Sequence, residues 1–194
     1  MTKPLDGVRI IDLSNMLMAP YATQILGDMG ADIIKVEPPV GDPIRGIGPY
    51  RNPGMGAIFM NINRSKRSIV LDLKKPDGHA AILELLKDAD VLIYNRRPKV
   101  MDRLDLSYEK LSALNPRLIY AGLYGYGEDG PYAGKPAFDD LIQGAVAIPA
   151  LGQMANGLDP VYTPTALVDR GVALYAVGQI NAAHPATLNP PQTK

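Results

Sequence analysis

One aspartate and a scatter of lysines and arginines are the residues best equipped for chemistry in this chain. It has no cysteine, and His79 and His184 are its only histidines. Thiolate nucleophiles, disulfide frameworks and Cys-ligated metals are therefore excluded, and a Ser-His-Asp triad would have to recruit one of two histidines. Asp169 stands out, in the stretch TPTALVDRG at 163–171. With Thr165 as helix N-cap, Asp169 falls at the end of the first turn, where the helix dipole favours an anion. A carboxylate there is a candidate for chemistry, and an acidic residue near a helix start is equally readable as structural.

The cations gather at the ends of expected strands: Arg64, Lys66 and Arg67 before the third, Lys74 and Lys75 after it, Arg96 and Arg97 after the fourth, then Arg103. Ligands of open α/β sheets dock at the carboxyl ends of the strands, so Lys74, Arg96, Arg97 and Arg103 form a candidate phosphate-binding rim. Each is equally readable as a solvated surface charge. The formal net charge is zero, with 20 basic and 20 acidic residues, which gives no global electrostatic case for nucleic acid or an anionic membrane. Any anion site must be local. A dinucleotide fold would need G-x-G-x-x-G between its first strand and helix, but that turn reads SNMLMAP at 14–20, which disfavours a nicotinamide-dependent oxidoreductase. Gly46-Ile47-Gly48 is followed by Pro49 and reads as a turn, and there is no Walker A sequence.

The elements that must position these residues alternate between short β-rich runs and longer runs of helical spacing. Strands are expected at 8–13, 32–37, 68–73, 91–95 and 118–123, and helices at 20–29, 76–88 and 108–114. Residues 38–65 read as a long Pro/Gly loop. The pattern predicts an α/β fold, an open, mostly parallel Rossmann-like sheet with helices on both faces, followed by an exit helix. Beyond a Gly/Pro-rich crossing at 125–131, helices are expected at 138–146 and 165–183. The second is apolar on nearly every side, which predicts burial on all faces. Residues 184–194 carry three prolines and are expected to be a disordered tail. No signal core and no run of about 18 apolar residues occurs, so a soluble cytoplasmic protein is expected.

Ordered blocks of the sequence are distinctive together: PLDGVR at 4–9, APYATQ at 19–24, GADIIKVE at 30–37, NRSKRSIVLDLK at 63–74, ADVLIYN at 89–95, LNPRLIY at 114–120 and GYG at 125–127. Through them the chain resembles the class III CoA-transferases, the family of formyl-CoA and carnitine CoA-transferases, from about residue 4 to 183. The resemblance implies that Asp169 is the nucleophile and that Asp139 lies near it. It implies contacts to coenzyme A, as acyl-CoA substrate, from Met16, Leu17, Leu71, Asp72, Leu73, Lys74, Asn95, Arg96, Arg97 and Arg103. The implied activity moves CoA from an acyl-CoA thioester to a small-molecule carboxylic acid through an aspartyl-CoA thioester, with no metal. Nucleic acid and membrane are not expected partners, and the full-length form is expected to be a homodimer.

Two departures accompany these matches. Pro38 stands where some members have a CoA-binding Arg, and Arg96-Arg97 replaces an aromatic and a small residue. The related α-methylacyl-CoA racemases carry a His where this chain has Phe138, and Phe138 cannot serve as one of the two acid/base groups racemisation requires. The pattern is left after Ala183, before the family's T-G-x-G-Q segment, second domain and Gly-rich loop. The expectation is a large-domain fragment over 1–183 from a C-terminally truncated member, inactive alone and self-associating or poorly folded. A non-catalytic CoA-binding remnant is the alternative.

Overall fold

A computed structural model describes residues 2–184. The chain runs β1 (Arg9–Leu13), α1 (Met18–Asp28), β2 (Asp32–Glu37), a 3-10 turn (Pro43–Gly46), α2 (Ala57–Ile62), β3 (Lys66–Val70), α3 (Pro76–Lys87) and β4 (Val91–Tyr94). It continues through α4 (Pro98–Arg103), α5 (Tyr108–Leu114), β5 (Ile119–Gly122), α6 (Asp139–Ala145), α7 (Ile148–Asn156) and α8 (Leu167–Ala183). The five strands pair in parallel in the order β3-β2-β1-β4-β5.

Both faces of the central strands are covered, which is why they read as near-continuous apolar runs. Ile10, Ile33 and Ile93 point into a core with Ala22 and Leu26 of α1 and with Ala173 and Ile180 of α8. Their strand neighbours Ile11, Ile34 and Leu92 point the other way, onto Ile82 and Leu86 of α3 and Leu111 of α5. The chain builds outward from β1 to β3 and then returns to lay β4 on the opposite side of β1. The strand order therefore reverses between β1 and β4, where an open sheet leaves a crevice at its carboxyl edge.

Several elements differ from their sequence expectations. β3 begins at Lys66 and ends at Val70, so Lys66 and Arg67 belong to the strand while residues 71–74 form the loop beyond its carboxyl end. The stretch 38–65 is not all loop. Ile44 of the 3-10 turn buries with Phe59 and Ile62 of α2 in a third small core, and the Arg45 guanidinium lies 3.7 Å from the Phe59 ring centre. α7 is an additional helix, begun with Pro149 in its first turn and closed by Gly157 at a left-handed φ of 71°. The expected burial of α8 on all faces is overturned: Ala173 and Ile180 are buried, but Leu174 is 56% and Tyr175 72% exposed. The helix packs along α1 and touches α6 and β5, and those neighbours cover one side of it only. The tail expected at 184–194 falls, after the buried His184, outside the described residues.

Candidate active site

Charged groups buried at the strand ends fix the backbone at the crevice. Asp12 of β1 is fully buried, with Lys66 Nζ 2.9 Å away and hydroxyls of Thr23 (2.6 Å) and Ser14 donating to it. Burial alone would push this carboxyl up, but Lys66, Lys35 and the two hydroxyls outweigh it and hold the pKa at about 2. Burial pulls Lys66 down to about 8 against the attraction of Asp12. One strand over, Lys35 lies 3.0 Å from Asp42 and donates to the Ser14 carbonyl at 2.9 Å. Glu37 would also be raised by burial, but a two-pronged contact from Arg45 (2.7 Å each), the Asp42 N–H and the Ser68 hydroxyl bring it to about 2.

This lattice holds the turn after β1. Met16 adopts φ 62°, a left-handed conformation costly for a residue with a side chain, and its N–H donates to Asp42 Oδ1 at 3.1 Å. Asn15 is tied to Asn95 both ways, N–H to Oδ1 at 3.1 Å and Nδ2 to O at 2.7 Å. The exits of β1 and β4 are thus stitched together at the point where the strand order reverses. Sequence reasoning passed over Asp12, Lys35 and Asp42; the signal of the first two was a charge in an otherwise apolar central strand, which demands a partner, while Asp42 caps the 3-10 turn in the loop after β2.

Above this stitched edge opens a cleft of about 620 Å³. Met16 and Leu17 line it from the β1 exit, Asn95, Arg96 and Arg97 from the β4 exit, and Asp139 and Asp169 from the α6 and α8 starts. The loop after β5 can approach the 137–139 segment only because residue 125 is glycine: a Cβ there would sit 2.0 Å from that of Ala137. α8 starts at Leu167 with Ala166 as its cap, so Asp169 is the third helical residue, closer to the positive end of the dipole than a Thr165 cap implies. Its N–H donates to Asp139 Oδ2 at 2.8 Å. Burial, then the neighbouring Asp139 charge, raise the Asp169 carboxyl to about 6. Lys135 also lines the cleft and escaped sequence notice; it sits in the Gly/Pro loop, where no periodicity marks it.

A second, smaller cleft of about 80 Å³ lies over the β2 and β3 exits. Leu71, Asp72, Leu73 and Lys74 line it, with Pro38 opposite, and Arg96 lines both clefts. Burial lowers the Arg96 pKa, the sign of a guanidinium drawn partly out of water. Arg97 is exposed and donates to the Gly134 carbonyl at 3.0 Å. Arg103, exposed at the end of α4, lines neither cleft, so the expected rim comes together as Lys74, Arg96 and Arg97 without it. Arg64 and Arg67 are committed elsewhere, to Asp28 and Asp32. Among the described residues no group of three His, Asp or Glu side chains gathers to hold a metal, and no helix is long and apolar enough to cross a membrane.

The family model described as CoA-transferase family III matches residues 5–187. This chain belongs to CoA-transferase family III. Among similar family III members, the acetyl-CoA:oxalate CoA-transferase of Acetobacter aceti is 48% identical over 155 residues, covering 79% of this chain and 39% of that protein. The human succinyl-CoA:glutarate CoA-transferase is 37% identical over 181 residues, covering 93% of this chain and 41% of that protein. A crystal structure of a CAIB/BAIF family protein from Brucella suis superposes with a TM-score of 0.86 at 37% identity, over 94% of this chain and 49% of that one. The chain thus spans about two fifths of the length of these curated relatives. The α/β architecture is that of the family, and the family-level activity is CoA transfer.

Proposed function

We propose that this chain carries the CoA site and the nucleophile of a CoA-transferase that works through an aspartyl-CoA thioester. The observation that carries the reading is Asp169 at the start of α8, facing a cleft whose opposite wall is the β1 and β4 exits. CoA lies with its nucleotide end over the loop 71–74, its phosphates near Lys74 and Arg96, and its thioester in the larger cleft. An Asp169 oxygen attacks the thioester carbonyl, the C–S bond breaks, and an acyl-aspartyl anhydride forms as CoA leaves as thiolate. The thiolate attacks the aspartyl carbonyl and expels the donor acid as carboxylate, leaving Asp169 as its CoA thioester. An acceptor carboxylate then displaces the thiolate to form a second anhydride, and thiolate attack on its acyl carbonyl frees the new acyl-CoA and the Asp169 carboxylate. No proton is consumed, so acid/base groups are dispensable, whereas water would hydrolyse either anhydride and must be kept out.

A carboxyl raised to about 6 suits this role, since it is largely ionised at neutral pH yet more basic, and so more nucleophilic, than an ordinary aspartate. The reading extends to a cytoplasmic homodimer acting on small molecules, without metal, nucleic acid or membrane partner. Residues 141–158 carry no charge and α7 buries none of its side chains, which supports a second copy as the cover of this face. The relatives above are named for oxalate and glutarate, and the proposed acceptor is likewise a small carboxylic acid.

The test is chemical trapping. Incubation with acyl-CoA and then hydroxylamine should leave an adduct on Asp169 by mass spectrometry, while calorimetry should give a CoA affinity that weakens as salt screens the phosphates. An adduct on another residue would overturn the mechanism. CoA binding with no adduct would favour the alternative, a CoA-binding protein without turnover.

A further inference from the structure

Gln143 is fully buried in the middle of α6, although Asp140, Leu141, Gly144 and Ala145 of that helix are exposed. A glutamine amide has two donor hydrogens and two acceptor sites, and burying it unsatisfied costs about 1–3 kcal/mol. Here both ends are engaged. Nε2 donates to Asp139 Oδ1 one turn back and, at 3.4 Å, faces the Thr165 carbonyl; Oε1 accepts the Thr163 N–H at 2.9 Å. One side chain therefore grips the first turn of α6 and the strand of chain that leads into α8. Asp139, clamped on Oδ1, presents Oδ2 to the Asp169 N–H, one of the orphan donors at the start of α8.

We propose that Gln143 is a positioning residue: by clamping Asp139 and the 163–165 segment it fixes the α8 start and so the place of the Asp169 carboxyl in the cleft. This rests on the reading of Asp169 as the nucleophile and adds the residue that aims it. The charged and titratable groups facing Asp169 are Asp139 and Asp140 from α6, Arg96 and Arg97 from the β4 exit, Tyr124 after β5 and Lys135 in the loop before α6. Asp139 is the one whose charge bears on it, and Gln143 keeps that charge in place.

The experiment needs no substrate. In the 194-residue chain, the Asp169 carboxyl is titrated by carbon-13 NMR, assigned by its loss in Asp169→Asn, and exchange of the Asp169 amide hydrogen is followed. In Gln143→Met, which keeps volume but cannot donate, the Asp139 carboxylate is released. The Asp169 midpoint should then fall by about one pH unit, and its amide should exchange on the order of tenfold faster. In Gln143→Glu the substituted carboxyl donates to Asp139 when protonated and repels it when ionised. Protection of the Asp169 amide should therefore persist in acid and vanish above that titration, within one folded protein. A midpoint and exchange rate unmoved in Gln143→Met with an intact amide spectrum would overturn the proposal. If Gln143→Met does not fold, protection independent of pH in Gln143→Glu would overturn it equally. These readouts involve no CoA, so their failure would leave the trapping result standing, and absence of an adduct would leave them standing.

Discussion

The sheet region, residues 9–123, and the helical region, residues 138–184, secure their functional residues in opposite ways. In the sheet region charges are buried in pairs, Asp12 with Lys66 and Lys35 with Asp42, and helices cover both faces. Asp42 of that lattice also accepts the Met16 N–H, and Asn15 and Asn95 tie the neighbouring strand exits together, at the edge proposed to bind CoA. In the helical region α7 buries nothing, α8 rests on α1 along one side, and Asp169 is aimed by a short relay through Asp139 and Gln143. Under the proposed function the difference would separate binding from chemistry: the proposed CoA edge is held by buried ion pairs, and the proposed nucleophile by a few polar contacts.

The largest effect expected from breaking this division is chemical. Asp169→Asn should reduce hydroxylamine-trapped adduct by roughly 10³-fold or more, because an amide is no nucleophile toward a thioester. Calorimetry on the same variant should give unchanged CoA affinity, since the sheet edge is untouched. Weakened CoA binding would mean that the two regions are coupled.

The converse experiment strikes the sheet. Asp12→Ala leaves the Lys66 ammonium buried without its partner and should cost about 3–5 kcal/mol in urea unfolding, the usual penalty for halving a buried pair. Arg67→Ala, which removes a well-formed but exposed pair with Asp32, should cost about 0–1 kcal/mol. The Asp12 contribution has a defined acid limit. Its folded pKa of about 2 lies below the ordinary aspartate value of 3.8, so the stabilisation is present above pH 3.8 and lost as pH falls toward 2. Equal costs for the two variants would refute the contrast between buried and exposed charges.

A smaller, pH-resolved effect belongs to the helical region. Asp169 has a raised folded pKa, so its reactive anion is depleted as pH drops through about 6, and the rate of adduct formation should fall along that limb. Asp139→Asn keeps an oxygen for the Asp169 N–H but removes the charge. The limb should move down by about one pH unit, or roughly 1.4 kcal/mol. A limb that stays near 6 would assign the shift to burial alone.

Much of the sheet region was legible because its signals are periodic. Val91–Tyr94 is apolar without interruption and Ile33–Val36 is broken only by Lys35, as strands covered on both sides require, and the run of strands with helical crossovers implied their parallel pairing. β3 begins two residues before and ends three residues before the expected 68–73, because Lys66 and Arg67 look like loop residues, when one is buried against Asp12 and the other lies along an exposed edge strand. Asp169 was visible from the residue pattern only as a helix-start carboxylate; the family resemblance singled it out. Gln143 and Lys135 were not visible, because a contact between α6 and the segment before α8 joins positions 20 or more residues apart and leaves no local pattern. The all-round apolar character of α8 predicts burial on every face, whereas Leu174 and Tyr175 are exposed, and sequence does not say whether another chain covers them.

That last point is open to the mildest perturbation. Met154 is 82% and Tyr175 72% exposed, and neither belongs to a buried cluster, so Met154→Gln and Tyr175→Ser remove almost no packing within the chain. Met and Gln have similar helix propensities, as do Tyr and Ser, so the helices themselves should not notice. The combined change in unfolding free energy should stay within about 0.5 kcal/mol per substitution, as for surface sites elsewhere. If a second copy covers this face, the same substitutions remove apolar area from the contact, at roughly 25 cal/mol per Å², and light scattering should show association shifted toward monomer. Unaltered association with unaltered stability would place the contact between copies on another face. A stability loss above 1 kcal/mol in the monomer would mean that α7 and α8 bury these side chains within a single chain after all.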